Sequence, residues 1–324
     1  MKSDRLKATA NEVEAGEVDM VVWRFIDGKP GHDNQSAGLV DALRERIAVH
    51  AYDITLERRG WRAYAQRNKG AVLPNPHLLI GAGHGTHRAL LRARAEHGAR
   101  AVVLMRPSLH QSAFDLCVIP EHDRPRTSAR TLVTRGVLNR VRPHTQARYD
   151  LEHGAKGLIL LGGPSKHYDW LDAEIVRQVT HIMTAEPACS WTLCDSRRTP
   201  KGTLERLAAQ EHTVIHWRDV APGWLARQLP RASHIWVSED SVSMVYEALT
   251  AAAAVGLLSV PRRRRGRVTD GIATLIRRGD VTPYAVWASG TALSPVAQPL
   301  AEADRCAQWI MDHWFAGALE EHWG

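Results

Sequence analysis

Lysine is scarce in this chain, with seven against 35 arginines among 324 residues of formal net charge +7. Positive charge carried on guanidinium groups favours planar, bidentate contacts to phosphate. The basic balance argues for an anionic partner, either nucleic acid, an acidic lipid surface or a phosphorylated small molecule. Cysteine is equally sparse. Cys117, Cys189, Cys194 and Cys306 are too few and too scattered for a disulfide framework or a zinc knuckle. Long apolar runs are missing too: Ala248–Val260 is interrupted by Thr and Gly and falls short of the ~20 residues of a membrane span. The first 19 residues mix both charge signs without an apolar core, the pattern of neither a secretory leader nor a transit peptide. A reduced, cytoplasmic protein is the expectation.

What is present is an ordinary globular balance, 44% hydrophobic and 24% charged, which excludes a disordered chain. The length argues for two domains. Met20–Ile26 reads as a buried strand running into the turn Asp27–His32, and Asn34–Arg46 then shows helical spacing. Leu78–Ile80, the loop Gly81–Gly85 and the helical Thr86–His97 repeat that order, and strands follow at Ala101–Met105, Leu116–Ile119 and Arg130–Thr134. The apolar pattern lapses over Arg140–Ala155, which reads as a linker. It restarts with strands at Gly157–Leu161, Cys189–Cys194, Thr213–Trp217, His234–Ser238 and Gly256–Val260, and helices at Asp172–Thr184, Gly202–Gln210 and Ala301–Phe315. Short apolar strands alternating with amphipathic helices imply parallel sheets covered on both faces. The fold class expected is α/β: two Rossmann-like parallel-sheet domains facing a cleft, residues 1–145 and 146–300, with the terminal helix 301–324 returning to the first.

Ligands in such folds bind outside the carboxyl ends of strands. Four loops and one helix start stand there. The first loop, Asp27–Gln35, offers Gly31 for close approach and His32 as a general base, with Asp33 as the second candidate. Gly81–Gly85 lacks the third glycine of a dinucleotide fingerprint and is not read as one. Gly162–His167 supplies Gly163, Ser165 and Lys166, and Ser196–Pro200 supplies Arg197, Arg198 and Thr199. Together these read as a phosphate cradle. After Ile235–Ser238 a helix begins near Ser241, so the N–H groups of Ser241, Ser243 and Met244 can face a phosphate, with Glu247 placed to accept sugar hydroxyls.

Two further clusters carry less. The run Arg262–Arg267 reads as a solvated loop or a grip on anionic lipid, and no aromatic interleaving accompanies it, so nucleic acid is not expected. Glu121-His122-Asp123 is the nearest approach to a metal cluster and reads instead as cleft lining that touches an acceptor. No metal or cofactor is expected.

The segments DGKPGH–NQ (27–35), Arg106-Pro107, FDLCVIPEHD (114–123), TRGVLN (134–139), GGPSKH (162–167), SRRTP (196–200) and DSVSM-VYEA (240–248) resemble, in order and spacing, the mitochondrial fission ELM family. Its bacterial members look like glycosyltransferases of lipopolysaccharide outer-core type. The resemblance implies a GT-B fold with a nucleotide-sugar held mainly by the second domain and a glycan or glycolipid acceptor. Where the family tends to carry Asn-Pro-Tyr, this chain has Ala221-Pro222-Gly223-Trp224. A nucleotide-sugar epimerase and a non-catalytic adaptor are the alternatives.

Overall fold

In a computed structural model, twelve strands among the described residues form two six-stranded sheets, and every strand pair in both is parallel. The structure describes residues 19–56, 73–143, 155–210, 212–221, 223–295 and 298–316. Most of the expected linker, residues 144–154, lies outside them.

The first sheet holds β1 (Met20–Ile26), β2 (Val49–Thr55), β3 (Leu78–Ala82), β4 (Arg100–Leu104), β5 (Leu116–Pro120) and β6 (Thr131–Thr134), in the order β2-β1-β3-β4-β5-β6. The second holds β7 (Lys156–Leu160), β8 (Ser190–Cys194), β9 (Val214–Ile215), β10 (His234–Ser238), β11 (Ala254–Leu258) and β12 (Thr282–Pro283), in the order β12-β11-β10-β7-β8-β9. Helices follow the strands: α1 (Pro30–Arg44), α2 (His87–His97), α3 (Asp172–Ala185), α4 (Lys201–Ala208), α5 (Trp224–Gln228), α6 (Val242–Thr250), α7 (Arg267–Arg278), α8 (Tyr284–Ala288) and α9 (Glu302–Trp314).

Central strands such as LLIGA, LCVIP and AVGLL are buried along their whole length because helices cover both faces of each sheet. Leu39 and Leu43 of α1 share one core with Val22, Ile80, Val102 and Val118, and Cys306, Ala307, Ile310 and Met311 of α9 pack into that same core. The opposite face joins Phe25, Leu79 and Val103 to Ala89 and Leu90 of α2. In the second sheet α6 and α7 contribute Val245, Leu249, Ile272 and Leu275 to one core, and α3 contributes Ile175, Val179 and Ile182 to the other. No helix among the described residues is long and apolar enough to cross a membrane.

Each sheet reverses its strand order once, between β1 and β3 in the first and between β7 and β10 in the second. A parallel sheet opens a crevice at such a reversal, because neighbouring crossovers leave on opposite faces. The loops after β1, β3, β7 and β10 flank these two crevices. One sequence boundary shifts with consequence. Helix α1 begins at Pro30, not Asn34, since proline's fixed φ suits the first helical position and its missing N–H is no loss there. His32 and Asp33 therefore lie in the first turn of a helix, not in a loop.

Candidate functional site

A cleft of about 1120 Å³ separates the carboxyl edges of the two sheets. One wall is Lys29–His32, Asn34 and Gln35 at the start of α1, with Met105 after β4 and His122 after β5. The other is Ser196–Arg198 after β8, Trp217 after β9, and Ser241–Met244 with Glu247 on α6. The helix starts of α1 and α6 meet closely: a Cβ at Gly31 would lie 3.9 Å from Ser243 Oγ. Two helix N-termini thus open toward one space, with unpaired N–H groups and positive dipole ends.

On the first wall, His32 Nδ1 lies 2.9 Å from Asp27 Oδ2. A carboxylate only accepts, so Nδ1 carries the proton and Nε2 keeps the lone pair in the neutral ring. Burial works against the Asp27 carboxylate. The hydrogen bond and charge of His32 and the Lys29 contacts outweigh it, and its pKa lies below the usual value. The second glycine loop makes room for this pair. Gly83 has φ of +78° and a Cβ there would fall 2.2 Å from His32 Cε1, while a Cβ at Gly85 would sit 3.4 Å from Asp27 Oδ2. Gly81–Gly85 is the housing of an Asp–His pair at the β1/β3 reversal.

Asp33, the second base candidate, is not in the cleft lining. It follows His32 by about 100° around the helix, off the cleft face, and its backbone carbonyl accepts from Arg24 Nη1 at 3.0 Å. Burial and then the Asp27 charge raise its pKa, against the pull of Arg24 and His32. Asn34 occupies the cleft face instead and donates from Nδ2 to Glu247 Oε1 at 2.6 Å. Burial pushes the Glu247 carboxyl up to about 7, although the Asn34 hydrogen bond favours its ionised form.

On the second wall, the expected cradle is only partly assembled. Arg197, Arg198, Ser241, Ser243, Met244 and Glu247 line the cleft; Gly163, Ser165, Lys166 and Thr199 do not. For three of them the reason is that they build the loops themselves. Gly163 N–H donates to Asp240 Oδ2 at 2.9 Å, and its missing Cβ leaves room for the Arg198 backbone, which would lie 2.0 Å away. Ser165 Oγ accepts from the N–H groups of His167 and Tyr168 at 3.2 Å. Thr199 Oγ1 donates to the carbonyl of Gly162 at 2.6 Å, and Lys166 is exposed. Arg198 is itself engaged, donating to the Gly163 carbonyl at 2.6 Å and pairing with Asp240 at 2.7 Å. Asp240 thereby fills the β7/β10 crevice. Arg197 is exposed on the cleft, and its guanidinium has no partner among the described residues. Ser241 starts α6 without a capping side-chain bond and is 8% exposed, so its hydroxyl is left for a cleft occupant.

Residues 30–314 match the family described as Mitochondrial fission ELM1. The chain belongs to that family. The matched range takes in both walls of the cleft, from Gly31, His32 and Asn34 to Arg197, Ser243 and Glu247. No curated protein matches it. Among solved structures, the UDP-GlcNAc 2-epimerase of Methanocaldococcus jannaschii aligns with a TM-score of 0.57 at 10% identity, covering 90% of this chain and 100% of that one. A Listeria monocytogenes protein assigned as a UDP-N-acetylglucosamine 2-epimerase aligns with a TM-score of 0.53 at 14% identity, covering 94% and 90%. At such identities the likeness is one of fold, and the fold is of the GT-B type.

Sequence reasoning missed Asn34, Asn139, Trp217 and Trp224, all of which line the cleft. Asn34 was findable. Once α1 starts at Pro30, Gly31, Asn34 and Gln35 fall on one helical face three and four residues apart. Trp224 stands where the family pattern Asn-Pro-Tyr departs, and it lies on the wall beside Ala221 and Gly223.

Proposed function

We propose that the chain is a GT-B glycosyltransferase that moves a sugar from a nucleotide-diphosphate donor to an acceptor hydroxyl, without a metal ion or other cofactor. One observation carries this reading: an Asp27–His32 pair faces, across one cleft, the α6 N-terminus with Arg197. The diphosphate lies against the N–H groups of Ser243 and Met244, the Ser241 hydroxyl and Arg197, which take up its charge as the bond to the sugar breaks. Glu247 accepts hydroxyl hydrogens of the donor. The acceptor oxygen forms the new bond to the anomeric carbon, and its proton passes to His32 Nε2. Asp27 holds the ring in the required tautomer and offsets the charge it acquires.

The acceptor is a glycan or glycolipid of the cell envelope, and the protein works in the cytoplasm, at the inner face of the membrane. Arg264 and Arg265 are exposed and suit an anionic surface, whereas Arg262 is taken by Glu239 at 2.8 Å and Arg263 pairs with Asp169 at 3.4 Å. The M. jannaschii likeness makes UDP-GlcNAc the first donor to try. The test is a thermal-shift and calorimetric screen of nucleotide-sugars, followed by product analysis with and without acceptors. Stabilisation by a nucleotide-sugar and acceptor-dependent release of nucleoside diphosphate are expected. Conversion of the sugar to its epimer with no acceptor present would make the protein an epimerase instead. No stabilisation by any nucleotide-sugar would make it an adaptor.

A further inference from the structure

Away from the cleft, at the amino edge of the second sheet, three donor-bearing side chains converge. Glu186 stands at the carboxyl end of α3, Cys189 directly precedes β8, and His234 is the first residue of β10. One ligand atom from each lies within 4.8 Å of the others, and this is the only such group of potential metal ligands among the described residues. We propose that Glu186, Cys189 and His234 form a binding site for a borderline divalent cation of the Zn²⁺ class. The sequence hides the trio, because His234 lies 48 residues beyond Glu186 and no short motif joins them. Glu121-His122-Asp123, contiguous in the chain, does not converge in this way.

The chemistry of the set fits that ion. Sulfur, imidazole nitrogen and carboxylate oxygen are the three donor types Zn²⁺ takes, at about 2.0–2.3 Å in a tetrahedral arrangement. Such donors stand ~3.3–3.8 Å apart, and the three ligand atoms lie within 4.8 Å of one another. Two of the donors are already closer than that: His234 Nδ1 lies 3.0 Å from Glu186 Oε2. The backbone fixes the third, since the Cys189 N–H donates to the Glu186 carbonyl at 3.1 Å and closes a tight turn between them. All three side chains are partly or largely buried, Cys189 at 8% exposure and His234 and Glu186 with side chains at 27% and 25%. With three protein donors, the fourth position of a tetrahedral site would fall to water.

Charge balances as well. A Glu186 carboxylate and a Cys189 thiolate neutralise a divalent ion, and His234 adds a neutral ligand. On binding through Nδ1 the ring proton moves to Nε2 and the thiol proton is released to solvent. Burial pushes the free Cys189 thiol up to about 12, so without a cation it stays protonated and unreactive. Hard cations such as Mg²⁺, which take oxygen ligands, do not suit the set. An ion here ties the end of α3 to the starts of β8 and β10. It would act on stability, at the sheet edge remote from the proposed chemistry.

The experiment titrates the full-length, metal-stripped protein with Co²⁺ alone, followed by absorbance, and then with Zn²⁺ as competitor. The expected result is one equivalent of Co²⁺ giving a near-ultraviolet thiolate band and intense visible bands, both abolished by Zn²⁺. Cys189→Ser and Cys189→Ala should both lose the thiolate band. His234→Ala should weaken binding by more than the roughly 10–100-fold that loss of an outer partner causes. Zn²⁺ should raise the melting temperature of the unsubstituted protein and not of the Cys189 variants, each checked for folding by circular dichroism. Absence of a thiolate band at millimolar Co²⁺, or a band that survives in a folded Cys189 variant, would overturn the proposal.

Discussion

Asn34 of α1 donates to Glu247 of α6 at 2.6 Å, a bond that joins two residues 213 positions apart across the cleft between the sheets. It is a direct polar link between the proposed base-bearing helix and the proposed phosphate-bearing helix, and it engages a carboxyl whose pKa burial raises to about 7.

That carboxyl makes stability depend on pH with a definite sign. Glu247 in the unfolded chain titrates near 4.5, whereas in the folded protein it keeps its proton to about 7. Between these values the folded state binds more protons than the unfolded one, so stability falls as pH rises through the window. Glu247→Gln should remove that slope, which denaturant titrations at pH 4.5, 6 and 8 would detect. Under the proposed function the ionised form is the better acceptor for donor hydroxyls. Nucleotide-sugar affinity should therefore rise as pH passes about 7, and lose that dependence in Glu247→Gln.

The Asp27–His32 pair gives a kinetic prediction. His32→Ala should lower turnover by about 10²–10⁴-fold, the usual share of acid–base catalysis, with donor affinity little changed. Asp27→Ala should also lower turnover without weakening the donor, since His32 would lose the acceptor that fixes its tautomer. A fall in donor affinity with turnover intact would make His32 a binding residue. The base would then be sought at His84 or His122, of which His122 lines the cleft.

How much of this the sequence discloses depends on the element. The central strands are legible because burial on both faces leaves them apolar throughout. The edge strand β2, with sequence VHAYDIT, goes unread because its side chains are mostly half-exposed or exposed and carry His and Asp. Helix α7 is masked by the arginines before it, which draw the segment toward a loop, although Ile272 and Leu275 sit in the core. At the site, loops after strands announce themselves by glycine. Composition does not say whether a loop's polar groups face a ligand or hold the loop. Ser165 and Thr199 spend their hydroxyls on their own turns, and Gly163 is small for the sake of Arg198. Long-range pairs such as Asn34–Glu247 leave no trace in spacing at all.

The two arginines of SRRTP should behave differently. Arg197→Ala removes from the cleft a guanidinium without a partner among the described residues and should weaken nucleotide-diphosphate binding by about 1.5–3 kcal/mol, the worth of a charged hydrogen bond, without affecting stability. Arg198→Ala strips the charged partner from Asp240, whose side chain is fully buried and keeps only neutral donors such as the Gly163 N–H, and should cost about 1–3 kcal/mol of stability. Lys166→Ala, exposed outside the cleft, should alter neither quantity. Calorimetry and chemical denaturation of the three variants would separate these outcomes. An equal loss of affinity in Lys166→Ala would bring that residue back into the site.

Gly83 offers a test of the Asp27–His32 geometry that leaves both residues in place. Its φ of +78° disfavours any side chain, and a Cβ would fall 2.2 Å from Cε1 of the His32 ring. The ring cannot simply retreat, because Asp27 holds it by Nδ1 at 2.9 Å. Gly83→Ala must therefore displace the imidazole as well as strain the backbone. Gly28 supplies the control: its φ is +75°, yet a Cβ there meets nothing within 4 Å. Both substitutions should cost about 1–2 kcal/mol of stability from the left-handed backbone alone. Only Gly83→Ala should lower turnover toward the level of His32→Ala, with donor affinity preserved, because the diphosphate contacts lie on the other wall. If turnover in Gly83→Ala matches that in Gly28→Ala, the orientation of His32 does not govern the reaction, and the base assignment falls with it.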